Sequence, residues 1–225
     1  METKRIIQSY GRKRARGLSE TQKENLVNLY EVYGITLPES EVNPHDYFNG
    51  QFEQITLEIG FGRGEHLIQN AINNPTMGFI GCEPFENGVA SALKAIADNN
   101  LNNVKIYKGD ARFLLEFFPT HSLNTVYVLF PDPWTKKKHY KRRLLSTEFL
   151  NILKEKLTKY GSIIIATDCE NYMQNVLENL KSIQGIKYTD DMTALSEKPS
   201  WFLSTRYERK ALSKGKKCYY LKCES

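Results

Sequence analysis

Five short apolar runs recur through the middle of the chain: "ITLEIG" (55–60), "GFIGCE" (78–83), "VKIYKGD" (104–110), "TVYVLFP" (125–131) and "GSIIIATD" (161–168). Most are continuous rather than alternating, as in parallel strands covered on both faces. Between them, residues 64–74, 86–98, 111–118, 146–159 and 170–182 carry helical apolar spacing, with Pro75 following one stretch and Gly161 expected to stop another. The alternation predicts an α/β fold, an open parallel sheet with helices on both faces. Two further strands are expected at "GIKYTDD" (185–191) and "CYYLKCE" (218–224), and a helix over 17–34 capped by Ser19.

Ligands of such sheets bind beyond the carboxyl ends of the strands. An acid stands there in each unit: Glu58, Glu83, Asp110, Asp132 and Asp168. In "LEIGFGRGEHL", Gly60, Gly62 and Gly64 allow a tight turn and close backbone approach by a ligand. The dinucleotide pattern GxGxxG requires glycine at 65, where Glu65 stands. The actual ExGxGxG suits a ligand without pyrophosphate, and Glu58 favours a cationic group. Glu83 is placed to accept two ribose hydroxyls, and Asp110 with Ala111 to meet an adenine amine. Ribose, adenine and a positive centre together describe S-adenosyl-L-methionine. A nicotinamide cofactor is the alternative, and the glycine spacing disfavours it.

Charge changes the picture through its distribution. The formal net charge is only +5. Three stretches are strongly basic, however: residues 1–16, 136–143 and Arg206 to Lys217. Three clusters in one small chain point to nucleic acid. The basic, acid-poor start also has a transit-peptide composition, and that reading stays open beside a nucleic-acid arm. Cys82, Cys169, Cys218 and Cys223 form no CxxC pair and sit in or beside apolar runs, so free thiols, no metal site and a reducing, cytoplasmic setting are expected. No apolar window reaches membrane-spanning length.

The run "FPDPWTKKKHYKRR" (130–143) resembles the signature of the tRNA (guanine-N7)-methyltransferases. "LEIGFGRGEHL", "GCEPF", "GDA", "TDCENY" and "TRYER" follow that family's order, extending the resemblance over roughly residues 50–224. The resemblance implies a class I S-adenosylmethionine-dependent methyltransferase fold, with a Rossmann-like seven-stranded sheet whose last strand is antiparallel. The chain reads as a basic N-terminal arm and helix at 1–50 and a methyltransferase domain at 51–225. The substrate implied is a guanine in the tRNA variable loop, position 46 in conventional tRNA numbering. Glu58, Gly60, Gly62, Glu83, Asp110, Ala111 and Asp132 would border the donor, with Asp132 as the catalytic residue. Lys136, Asp168, Thr205, Arg206, Tyr207 and Glu208 would contact the target nucleotide. Lys138, His139, Tyr140, Lys141, Arg142 and Arg143 would track the tRNA backbone. A monomer or homodimer without an obligatory partner subunit is expected. Thr135, Lys138, Arg206, Tyr207, Lys210 and Ala211 depart from the family pattern.

Guanine N7 has a free lone pair and no proton to lose, so its methylation requires no general base. Positioning and electrostatics then supply the catalysis. Asp132 or Asp168 could oppose the positive charge developing on the base, and Asp132, its backbone restricted by Pro131 and Pro133, reads as an orienting and electrostatic acid rather than a proton acceptor. Trp134 either stacks on a base or packs. Two rival readings remain: an RNA amino-methyltransferase, and a non-catalytic RNA-binding protein of the same fold.

Overall fold

Residues 17–225 are described in the computed structural model of the chain, and the basic arm expected at 1–16 lies outside them. Six strands form one sheet among the described residues: β1 (Ile55–Ile59), β2 (Gly78–Cys82), β3 (Val104–Tyr107), β4 (Leu123–Leu129), β5 (Leu157–Thr167) and β6 (Tyr219–Glu224). Their order is β3-β2-β1-β4-β5-β6, with only β6 antiparallel to its neighbour. β1 is buried at every position, which explains its unbroken apolar run.

Amphipathic helices cover both faces. α3 (Glu65–Asn73) and α4 (Glu86–Asp98) bury Leu67, Ile68, Val89, Leu93 and Ile96 against β2 and β3. α5 (Ala111–Leu115), α6 (Thr147–Lys156) and α7 (Glu170–Leu180) bury Leu114, Phe149, Leu153, Tyr172 and Val176 in the larger core. The chain runs outward through β2 and β3 and then returns to place β4 on the other side of β1. The strand order therefore reverses between β1 and β4, and a crevice opens beyond their ends.

At the N-terminal side, α1 (Glu20–Glu24) begins in a capping box in which the Ser19 hydroxyl accepts the Gln22 N–H and the Gln22 side chain accepts the Ser19 N–H. A π-helical turn at Asn25–Leu29 leads into α2 (Tyr30–Tyr33). This segment is seated on the β3 edge. The Tyr30 hydroxyl donates to Ile35 O and accepts the Lys108 N–H, and the Ile35 N–H donates to Ile106 O at 2.7 Å. Ile35 and Phe48 share the larger core with β1.

Two expectations are corrected. The seventh strand does not form: residues 185–191 contribute one bridge, Lys187 to Glu224. Gly185 turns with positive φ at one end, and Asp191 caps α8 (Met192–Leu195) at the other, leaving too short a run for a ladder. The helix expected to reach 159 ends at Lys156, because Leu157 turns extended to pair with Leu123 and bury itself completely. That strand pairing, not Gly161, stops the helix. Cys82, Cys218 and Cys223 are buried free thiols, and Cys169 is half-buried.

Candidate active site

The turn after β1 is built on backbone that side chains rarely adopt: Gly60 has φ 75° and Gly62 has φ 60°. A Cβ at Gly60 would meet no atom within 4 Å, so its backbone faces open space, while one at Gly62 would approach the Tyr207 ring at 3.5 Å. Glu83, at the end of β2, ties this turn down. One carboxylate oxygen accepts the Gly62 N–H at 2.8 Å and the other the Phe85 N–H at 2.9 Å. Burial pushes the Glu83 carboxyl above its ordinary value; the two N–H groups oppose the rise, and Asp132 and Glu58 add to it.

A cavity of about 450 Å³ lies over this turn, lined by Gly60, Gly62, Glu83, Asp110, Ala111 and Asp132 among others. Six of the seven residues expected to border a donor therefore converge on one space. Asp110 caps α5 through the Arg112 N–H, and its oxygens pair with Nε of Arg112 at 2.9 Å and Nη2 at 2.6 Å. Asp132 is exposed at this cavity's wall. The turn that carries it begins and ends in the left-handed region, with Phe130 at φ 51° and Trp134 at φ 41°. For bulky residues such backbone costs on the order of 1–3 kcal/mol each and persists only when the surroundings enforce it. Trp134 meets His139 edge-on at 5.6 Å, and Arg142 lies 4.9 Å over its ring.

A second cavity, about 340 Å³, shares Gly60, Gly62, Phe85, Leu129, Phe130 and Tyr207 with the first. Glu58 lines this one rather than the first, and its buried carboxylate takes Nδ1 of His66 at 2.8 Å. The group facing Glu58 is thus an imidazole that the chain supplies itself. Arg206, Tyr207 and Thr205 also line the second cavity. Thr205 caps α9 (Arg206–Leu212) by accepting the Glu208 N–H, and Tyr207 is 57% exposed.

Three residues expected at the target nucleotide line neither cavity. Lys136 is exposed, Asp168 pairs with Lys216 at 2.6 Å, and Glu208 is 0% exposed. Burial pushes the Glu208 carboxyl up, but hydrogen bonds from Tyr220, Lys198 and Ser204 outweigh it and hold the group below its ordinary value. The basic ribbon forms a 3-10 turn over Lys137–Arg142. Lys137, Lys138 and Lys141 are exposed and His139 and Tyr140 half-buried, whereas Arg143 is buried. Desolvation and the cations of Arg142, Lys138 and Lys136 push the His139 imidazole down. Arg142 lines the first cavity.

Arg112, His66, Phe130 and the cavity-facing role of Arg142 went unread in the sequence. A hint existed for Arg112, which follows a helix-capping aspartate by two positions. None existed for the backbone strain. Among the described residues no cluster of His, Cys, Asp or Glu is arranged to hold a metal.

Residues 53–221 match the family described as "Putative methyltransferase", so the class is that of a methyltransferase. Solved structures agree on the fold. The 16S rRNA methyltransferase KamB aligns at TM-score 0.56 and 15% identity over 86% of this chain and 96% of that one. An rRNA methylase from Streptococcus thermophilus aligns at 0.52 and 12% over 80% and 93%. Curated relatives are nearer in sequence. A tRNA (guanine-N(7)-)-methyltransferase of Hyphomonas neptunium is 37% identical over 95% of this chain and 98% of its own length. That of Wolbachia pipientis wMel is 37% identical over 89% and 86%. This chain belongs to the tRNA (guanine-N(7)-)-methyltransferase family. Its cofactor is S-adenosylmethionine, and the residues present fit it: the open face at Gly60 leaves room that a side chain would fill, and Glu83 presents a fixed carboxylate to the same cavity.

Proposed function

We propose that the chain methylates N7 of the variable-loop guanine at tRNA position 46. The observation that carries this reading is the pair of cavities sharing one wall, with Asp132 on the donor side and Tyr207 common to both. Two reactants held in adjoining spaces need little beyond alignment when the nucleophile is already a free lone pair.

S-adenosylmethionine supplies an electrophilic sulfonium methyl when bound. Glu83 would hold its ribose, and Asp110 and Ala111 its adenine, across the glycine turn. Asp132 would accept hydrogen bonds from the guanine edge and oppose the positive charge that grows as N7 is methylated. Tyr207 and Arg206 would receive the base, with Thr205 and Glu208 fixing their helix from beneath. Lys136 and the Asp168–Lys216 pair would meet the flanking nucleotide. Lys138, His139, Tyr140 and Lys141 would follow the backbone, positioning the tRNA without reading sequence. No described helix is long and apolar enough to cross a membrane. A cytoplasmic monomer or homodimer acting without a partner subunit completes the reading.

The test is transfer of labelled methyl to bulk tRNA, followed by borohydride reduction and aniline cleavage, which among guanines cuts at those methylated on N7. Wild type should yield cleavage at the variable-loop guanine. Asp132→Asn, which keeps the shape and removes the charge, should lower kcat on the order of 100-fold. Label without cleavage would mean methylation at another atom and favour the amino-methyltransferase reading. No label on any tRNA would leave a binding protein.

A further inference from the structure

The positive ribbon ends in a residue turned into the protein. Arg143 is 5% exposed, and its guanidinium makes four hydrogen bonds inside the fold. Nε donates to Pro133 O at 3.0 Å, Nη1 to Asn175 Oδ1 at 3.0 Å and Asn171 O at 3.5 Å, and Nη2 to Asn171 Oδ1 at 2.7 Å. The guanidinium lies 3.7 Å over the Tyr140 ring and 4.9 Å over that of Tyr172. The Tyr140 hydroxyl donates to the same Asn171 oxygen at 2.7 Å, and the Tyr172 hydroxyl accepts the Leu145 N–H at 3.2 Å.

We propose that Arg143 is a positioning residue for Asp132, clamping the Pro131–Trp134 turn to the first turn of α7, and is not a tRNA phosphate contact. The inference rests on the methyl-transfer reading of Asp132. Pro131 and Pro133 have no N–H, so the turn that carries the acid lacks two backbone donors with which to fix itself. The carbonyl that Arg143 grips joins the acid's neighbour to Trp134, whose φ of 41° needs outside enforcement. A planar fork beside two aromatic rings, bonded to two backbone carbonyls and two amide side chains, is a geometry that a lysine ammonium cannot reproduce. Reaching a phosphate would require Arg143 to abandon all of these partners.

Charge-conserving substitution separates the two roles. Arg143→Lys keeps the positive charge and loses the fork. The clamp predicts a fall in kcat of roughly 10- to 100-fold, as for a small misplacement of a reacting group. The Kd for tRNA and its salt dependence should stay at wild-type values. Arg143→Gln should match it. Asn171→Ala, at an exposed site on α7, removes the shared acceptor with little risk to folding and should lower kcat in the same direction by roughly 3- to 10-fold. Full turnover in Arg143→Lys, with Arg143→Gln losing tRNA affinity and about one unit of salt slope, would overturn the clamp. If both Arg143 variants unfold, unchanged turnover in Asn171→Ala overturns it equally. Absence of N7 transfer by the wild type would instead overturn the functional reading, so the two failures are distinct.

Discussion

Glu83→Gln tests whether the fold keeps a charge for the donor's sake. In the protein alone, burial pushes the Glu83 carboxyl above its ordinary value despite two backbone N–H donors. A carboxyl raised on folding stabilises most when protonated. Its contribution falls as pH climbs from below the ordinary 4.5 through the raised value, so at neutral pH ionised Glu83 is a net cost. The amide removes that cost but offers one acceptor oxygen where two are used, losing a charge-assisted bond worth about 1.5–3 kcal/mol. The terms oppose, and the net change in stability should be on the order of 1 kcal/mol, or about 2–4 °C in Tm. Donor binding has no such compensation. With Glu83 holding the ribose as proposed, one charge-assisted bond to it is lost and the other weakens, about 2–4 kcal/mol together, or roughly 30- to 700-fold in Kd. Calorimetric titration with S-adenosylmethionine measures this directly. Wild-type affinity should also drop as acid protonates Glu83, from a pH above the usual carboxylate range, while the variant stays flat across that window. Donor affinity equal to wild type would refute the reasoning, as would an acid-dependent drop that survives in the variant.

Two further outcomes follow from the ribbon and the buried acid. Lys138→Gln and Lys141→Gln, both at exposed positions, should each lower the slope of log K against log salt for tRNA by about 1 and leave donor binding unchanged. Glu208→Gln should destabilise by about 2–3 kcal/mol, because the 0%-exposed carboxylate accepts the Tyr220 hydroxyl at 2.5 Å and Lys198 at 3.0 Å. Its folded value is depressed, so this stability is present above the ordinary 4.5 and lost as pH falls through the folded value. Urea unfolding at neutral and acid pH should show the gap between wild type and variant closing in acid.

The sheet was legible because its central strands are covered on both faces and so read as continuous apolar runs. What escaped was decided at a distance. Leu157 leaves its helix to pair with Leu123, a partner no local window contains. "GIKYTDD" alternates like a strand, yet its flanking turn and cap leave room for one bridge. The strand-end rule brought Glu83, Asp110 and Asp132 to one cavity because parallel strands in register end at one level. Glu58 lies within β1 instead, paired with Gly81 two residues short of Glu83, and His66 on α3 takes its carboxylate. Surroundings in the fold, rather than the pattern along the sequence, separate these acids.

The same distinction governs the ribbon. Along the sequence, Lys136 to Arg143 is one block of charge, and nothing in its composition divides it. In the fold the 3-10 turn distributes it over three surroundings: Lys137, Lys138 and Lys141 face outward, Arg142 lies over Trp134 at the first cavity, and Arg143 points inward and bonds the carbonyl of Pro133 in Asp132's turn. The strained backbone at Phe130 and Trp134 then has a physical counterpart, since a turn costing a few kcal/mol is opposed by a buried fork and a cation over an aromatic ring. An extended loop with the same sequence could hold phosphates equally well. A loop folded back on itself can, on the proposed reading, also hold the Asp132 carboxylate toward the base.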